Sequence, residues 1–156
     1  MPLKTLLYLG LSFAVMLGSV FVHPIIGVYG YLAAYNINPL GQWWGNFLPV
    51  FAERYALLFA GSIALGIIIH HAKLTYGKLF ERQEILLIVL IGIMWLSTII
   101  GQGTEVDYNV GKMSKVLLIL LMASHIITTR KFFDGMLWVL ILSGFYLGYE
   151  LYSGGG

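Results

Sequence analysis

Cysteine is missing altogether from the 156 residues, which excludes a disulfide scaffold, a thiolate metal site and a cysteine nucleophile. Charge is scarce too: Lys and Arg number nine, Asp and Glu seven, together 10% of the chain. A soluble domain carries roughly a quarter of its residues as charges. The formal net charge of +2 is too small, and its cations too scattered, to imply a nucleic-acid partner. What fills the chain instead is hydrophobic, 59% of residues with a mean hydropathy of +0.86. A surface of that composition is stable when its solvent is lipid, because the outside can then be as apolar as the inside. Membrane lipids are therefore the first partner this sequence implies.

Apolar stretches run at about 6–22, 25–35, 56–69, 85–100, 116–127 and 136–152. A helix crossing the hydrocarbon needs about 20 residues, within a range near 17–25. The first, fourth and last qualify with their flanking aromatics. The third and fifth qualify if Arg54, His70, Lys112 or Lys115, and Arg130 snorkel at their ends. The stretch at 25–35 is too short; it follows His23-Pro24, where proline disfavours helical geometry in the preceding residue, and stops at Asn36, Asn38 and Pro39. It is either a tilted span or a re-entrant piece. The fold class expected is thus all-α: one polytopic transmembrane helix bundle, 1–156, with five or six spans. The first stretch begins at Lys4 like a signal peptide, but Val20-Phe21-Val22-His23-Pro24 offers no small-x-small cleavage site, so it is expected to be a retained anchor.

Loop charge orients the bundle. Lys73, Lys78 and Arg82 lie in the loop 70–84, Arg130 and Lys131 in the turn 128–134, and two spans separate these segments. They share a side, which the positive-inside rule makes cytoplasmic. The loop 101–109, with Glu105 and Asp107, and the end 153–156 then fall outside. The N-terminus is cytoplasmic with five spans and external with six; Lys4 favours the former.

The connection at 39–54 has its own pattern. Leu40, Trp43, Trp44, Phe47, Leu48 and Phe51 recur at helical spacing, opposite Gln42 and Asn46. Asn38 is placed to cap such a helix and Pro39 to occupy its first turn. Tryptophan prefers the headgroup layer, where its ring is buried and its N–H stays wet. An external interfacial helix near 40–51 follows, anchored by Trp43, Trp44, Phe47 and Phe51. It serves either as a packing collar or as a docking surface for a lipid-linked substrate or neighbouring membrane protein.

Catalytic signatures are thin. Gly111-Lys112 lacks the hydroxyl residue and first glycine of a phosphate loop, and Gly101-Gln102-Gly103 follows a span, not a strand. No catalytic residue is assigned, and no cofactor. The opening for a cofactor is a set of histidines, His70, His71 and His125, expected at one depth and able in principle to ligate haem or a pigment; interface polarity is the plainer reading. His23 falls on the other side if the first stretch spans alone. Glu150, beside Tyr149 and Tyr152, is either an intramembrane functional carboxylate or a snorkelling one. Gly144 and Gly148, and the cluster Ala60, Gly61, Ala64 and Gly66, invite close helix packing within the bundle or against another membrane subunit. Lys112 and Lys115, three residues apart near the external face, mark either an ion pair with Glu105 or Asp107 or a shallow lipid-headgroup anion site.

Taken together, His23-Pro24-Ile25-Ile26-Gly27-Val28-Tyr29, Asn38-Pro39 and Trp43-Trp44 resemble the start of bacterial O-antigen ligase and polymerase-like proteins, the exosortase-associated type above all. Trp95-Leu96-Ser97, Lys112 with Lys115, Thr128-Thr129-Arg130-Lys131 and Leu137-Trp138-Val139 are similar as well. Gly144-Phe145-Tyr146 before Gly154-Gly155-Gly156 looks like the approach to that family's first external loop. The resemblance implies a multi-pass protein of the bacterial inner membrane that handles glycans carried on a polyprenyl diphosphate. It also implies a catalytic second half that these residues do not include. On that reading no activity belongs to this chain alone, and Lys112 and Lys115 are supporting contacts. The alternative is a non-catalytic subunit that packs against a larger membrane complex.

Overall fold

The computed structural model describes residues 2–70, 82–100 and 104–153, and among them every regular element is helical. In chain order these are α1 (Leu3–Phe21), α2 (Ile25–Ile37), two 3₁₀ segments (Pro39–Gly41 and Trp43–Phe47), the single turn α3 (Val50–Glu53), α4 (Tyr55–His70), α5 (Arg82–Ile100), α6 (Thr104–Ile126) and α7 (Arg130–Ser153). The chain divides into two compact units, Met1–Leu74 with Ile127–Gly156, and Thr75–Ile126.

In the first unit α2 is the hub, packed against α1, α4 and α7. The bend that makes it so is local. The N–H groups of Val22 and His23 both close on the Gly18 carbonyl, ending α1, and Pro24 opens α2 as its N-cap. The Ile25 N–H, an orphan donor at a helix start, is accepted by His23 Nδ1 at 3.2 Å. Close approach is then made by glycine. A Cβ at Gly27 would overlap Ser19 and Ile63, one at Gly30 would overlap Val15 and Phe59, and one at Gly66 the Ser19 carbonyl. Gly135 of α7 takes the Tyr29 ring in the same way.

Directions follow from contacts at the two ends. His70 at the end of α4 meets the Val20 carbonyl near the end of α1, so these two helices run parallel. Tyr29 donates to the Phe132 carbonyl at 2.8 Å, and Asn36 to Ser143 Oγ at 3.1 Å, so α7 starts where α2 starts. His23, His70 and Arg130 therefore share one end of this unit, while Lys4, the 3₁₀ segments and Glu150 share the other. His23, placed opposite His70 by its position after one span, lies beside it because the short α2 is a full return.

The second unit is the antiparallel pair α5 and α6. Glu84, buried in the first turn of α5, pairs with His125 Nε2 at 3.1 Å and accepts from Ser124 Oγ at 3.3 Å. The segment 104–109, expected as loop, is the start of α6.

Helix lengths revise the count of spans. Two helices are long and apolar enough to cross a membrane: α1, 19 residues, and α7, 24 residues. At 1.5 Å per residue they reach about 28 and 36 Å, against a hydrocarbon core of about 30 Å. The other apolar helices are shorter, at Tyr55–His70, Glu84–Ile100 and Met113–Ile126, and α2 has 13 residues. The single interfacial helix expected near 40–51 is also corrected. Its backbone is two 3₁₀ segments and one α-turn, tied by i→i+3 bonds such as Gly41 N–H to Asn38 and Gly45 N–H to Gln42, both 2.8 Å. Asn38 stands at the N-cap of the first 3₁₀ turn but makes no side-chain capping bond; it takes a left-handed φ of 46° and ends α2, while Pro39 starts the 3₁₀ turn.

Candidate functional site

The end of the first unit that carries the 3₁₀ segments gathers an ion pair, two tryptophans and two tyrosines. Thr5, wholly buried in the first turn of α1, donates from Oγ1 to the Trp44 carbonyl at 3.0 Å. That bond pins the loop to the helix and turns the indole inward, against the Tyr8 ring at 5.3 Å between centroids. Trp44, Leu48 and Ala52 form a buried cluster packed on Tyr8, Leu9 and Ile37. The neighbouring row Trp43, Phe47 and Phe51 faces outward. The shared aromatic face expected here is thus two adjacent rows, because extended residues at Gln42, Leu48 and Pro49 break the segment into separate turns. Trp44, 2% exposed, is a core residue and no surface anchor, whereas Trp43 is 58% exposed.

Glu150 lies in this cluster, near the end of α7. It pairs with Lys4 of α1 and accepts from the Tyr146 hydroxyl at 2.9 Å. Tyr149 and Tyr152, expected beside it, are exposed. Lys4 also stands 5.7 Å from the centre of the Trp43 ring, within cation–π reach. The pair is asymmetric, with the Glu150 side chain 13% exposed and that of Lys4 46%. Between these groups lies a recess of about 210 Å³ walled by Lys4, Leu7, Tyr8, Ile37, Trp44 and Tyr146. Two polar atoms of that wall are buried, the Tyr8 hydroxyl with Ser12 beside it and Trp44 Nε1 with the Tyr146 hydroxyl beside it. On the α4 side of Tyr8 a second recess, about 250 Å³, is lined almost wholly by apolar groups, Phe13, Met16, Phe51 and Leu58 among them.

Other residues singled out by sequence fall elsewhere. Lys115 is exposed on α6; Lys112 lies on the same helix, and its side chain, like those of Glu105 and Asp107, is outside the described set. A Cβ built at Gly61, Gly144 or Gly148 meets nothing within 4 Å among the described residues. Close helix contacts fall at Gly27, Gly30, Gly66 and Gly135. The spacing Gly27-x-x-Gly30 inside a short apolar run was the available signal.

His70 is buried with Nε2 on the Val20 carbonyl at 3.1 Å, His125 pairs with Glu84 in the other unit, and His71 is outside the described residues. Among the described residues no group of three or more His, Cys, Asp or Glu is placed to hold a metal ion. His23 packs on the Phe132 ring at 5.0 Å. Burial, and then the nearby His70, hold its pKa below the ordinary 6.5.

No family model, no curated protein and no solved structure matches the chain.

Proposed function

We propose that this chain is a multi-pass protein of the bacterial inner membrane, built as the scaffold half of an O-antigen ligase/polymerase-like protein. One observation carries the membrane part. The apolar windows of α1 and α7 are only 11% and 6% buried. An apolar core helix of a soluble protein would be mostly covered by its own fold; these two turn Leu7, Leu11, Phe13, Leu142, Phe145 and Leu151 outward. Hydrocarbon is the solvent that such surfaces match. The short helices fit the same setting. Alpha2 reaches about 20 Å, and the 3₁₀ loop that follows folds back along α1 and extends the protein on that side. Irregular backbone is tolerated at depth where protein covers it.

The basic segments flanking α4 and α7 belong, on this reading, to the cytoplasmic side. Because α1 runs parallel to α4, the N-terminus is then external, as in the six-span arrangement, and the exposed row Trp43, Phe47 and Phe51 lies in the external headgroup layer. A polyprenyl-diphosphate glycan is the proposed substrate class, handled only together with a catalytic half of the kind the resemblance calls for. A second reading, a non-catalytic subunit of a larger membrane complex, is favoured by Gly144 and Gly148, which leave one face of α7 open.

Single cysteines at Leu40 and Lys131, both exposed, test the topology with an impermeant maleimide on intact spheroplasts. Labelling at Leu40 and not at Lys131 is expected; the reverse would overturn the orientation. Extraction by alkaline carbonate tests membrane residence itself, and the chain should stay in the pellet.

A further inference from the structure

We infer that the recess between α1 and α4 seats one acyl chain of a glycerophospholipid, whose phosphate lies at Arg54. The inference rests on the membrane reading above and adds a bound ligand to it. The recess, about 250 Å³, is walled by Tyr8, Ser12 and Met16 of α1, by Phe51 of α3 and by Leu58 of α4. Those α1 residues stand four apart, so they share one face, and the slot follows it for about 12 Å. Its polar groups already face each other, the Tyr8 hydroxyl having Ser12 beside it. A buried water needs two to four polar partners, which such a lining does not supply. An empty slot would forfeit dispersion contacts along all its walls. Hydrocarbon is the filling that matches it.

Position and charge make that hydrocarbon a phospholipid tail. The slot is continuous with the outward face of α1, since Phe13 of its lining is 65% exposed and Leu17, one turn on, 42%. It runs along a helix long enough to cross the membrane, and so along the direction in which lipid tails lie. Its external end falls at Phe51 and Tyr55, level with the row that marks the headgroup layer. Between Ala52 and Tyr55 of the wall comes Arg54, exposed and in no ion pair among the described residues. The positive-inside rule leaves few arginines on that side, so its presence there needs a reason. A guanidinium at the mouth of an apolar slot is complementary to a tail that ends in a phosphate, which its planar fork can hold through two hydrogen bonds. An unbranched acyl chain is the narrowest such tail; an isoprenoid carries a methyl group on every unit.

The full chain would be reconstituted in vesicles of phosphatidylethanolamine and phosphatidylglycerol, with a trace of phosphatidylglycerol carrying a mid-chain diazirine. After irradiation, mass spectrometry locates the cross-linked residues. Bulk lipid labels every outward face, so Leu142 and Phe145 of α7, both exposed, set the background. We expect Phe13, Met16 and Leu58 to be labelled about fivefold above it, the factor that one arginine beside a lipid phosphate contributes. Arg54→Gln should remove most of that excess. Leu58→Trp and Ser12→Leu fill the slot from opposite walls, and each should bring Met16 down to background. Leu11→Trp, exposed on α1 outside the slot, should change nothing. Equal labelling of the two faces, or an excess unchanged by Leu58→Trp with unchanged helical circular dichroism, would overturn the site. An excess unchanged by Arg54→Gln would overturn the place given to the phosphate. Competition by undecaprenyl phosphate and not by unlabelled phosphatidylglycerol would give the slot to an isoprenoid and overturn the acyl assignment. Ser12→Leu carries the test should Leu58→Trp fail to fold. Release of the chain by alkaline carbonate would sink the membrane reading and this site with it. An integral chain labelled evenly would sink this site alone.

Discussion

Single residues decide how closely the helices of the first unit approach, and they are not those with the most conspicuous spacing. Gly27 and Gly30 carry α2 against α1 and α4, so alanine at either must displace Ser19, Ile63, Val15 or Phe59. Overpacking of this kind costs about 1–3 kcal/mol. We expect Gly27→Ala to lower the thermal midpoint in detergent, while Gly144→Leu with Gly148→Leu leaves it unchanged; the reverse order would show that α7 docks through its open face. Thr5→Val is isosteric and leaves the Trp44 carbonyl without its donor, a loss of about 1–2 kcal/mol. His23 adds a pH dependence. Its folded pKa lies below 6.5, so the unfolded chain takes up the proton first and stability falls as pH drops below that value. Protonation also places a proton on Nδ1, where the Ile25 N–H now bonds. His23→Asn, which keeps an acceptor and cannot titrate, should flatten the midpoint between pH 7 and pH 5, and a slope unchanged by it would assign the effect elsewhere.

At the scale of elements, the helical runs were largely legible. The break at His23-Pro24 and the end at Asn38-Pro39 bound α2 as its apolar length suggested, because proline leaves the backbone little choice there. The loop after it was not legible. Its residues repeat at helical spacing, but extended backbone at Gln42, Leu48 and Pro49 interrupts them, and Trp44 lies buried where Trp43 is exposed. Periodicity alone does not distinguish 3.0 from 3.6 residues per turn over so short a run. The polar cluster was half visible: Glu150 stood out as a carboxylate in an apolar helix, yet its partner lies 146 residues away at Lys4, a pairing that no local pattern encodes. The loop also offers its own test. A Cβ at Gly45 would run into the Pro39 carbonyl, so Gly45→Ala should open the turn and change the near-ultraviolet dichroism of Trp44, where Gly10→Ala, with open space around it, should not.

For the molecule as a whole, the central place of α2 has a consequence in time. One of its three helical neighbours, α7, begins at Arg130, so residues 38–129 must be made between the hub and the helix that covers its last face. At typical rates of synthesis that interval is roughly 5–20 seconds. Throughout it, Tyr29 and Asn36 wait for Phe132 and Ser143 to exist, two polar side chains on a short helix in an apolar setting. The nascent chain therefore spends that interval with its least membrane-suited segment half covered. A ribosome stalled before residue 130 should leave that segment open to membrane proteases, and one stalled with all of α7 emerged should leave it protected.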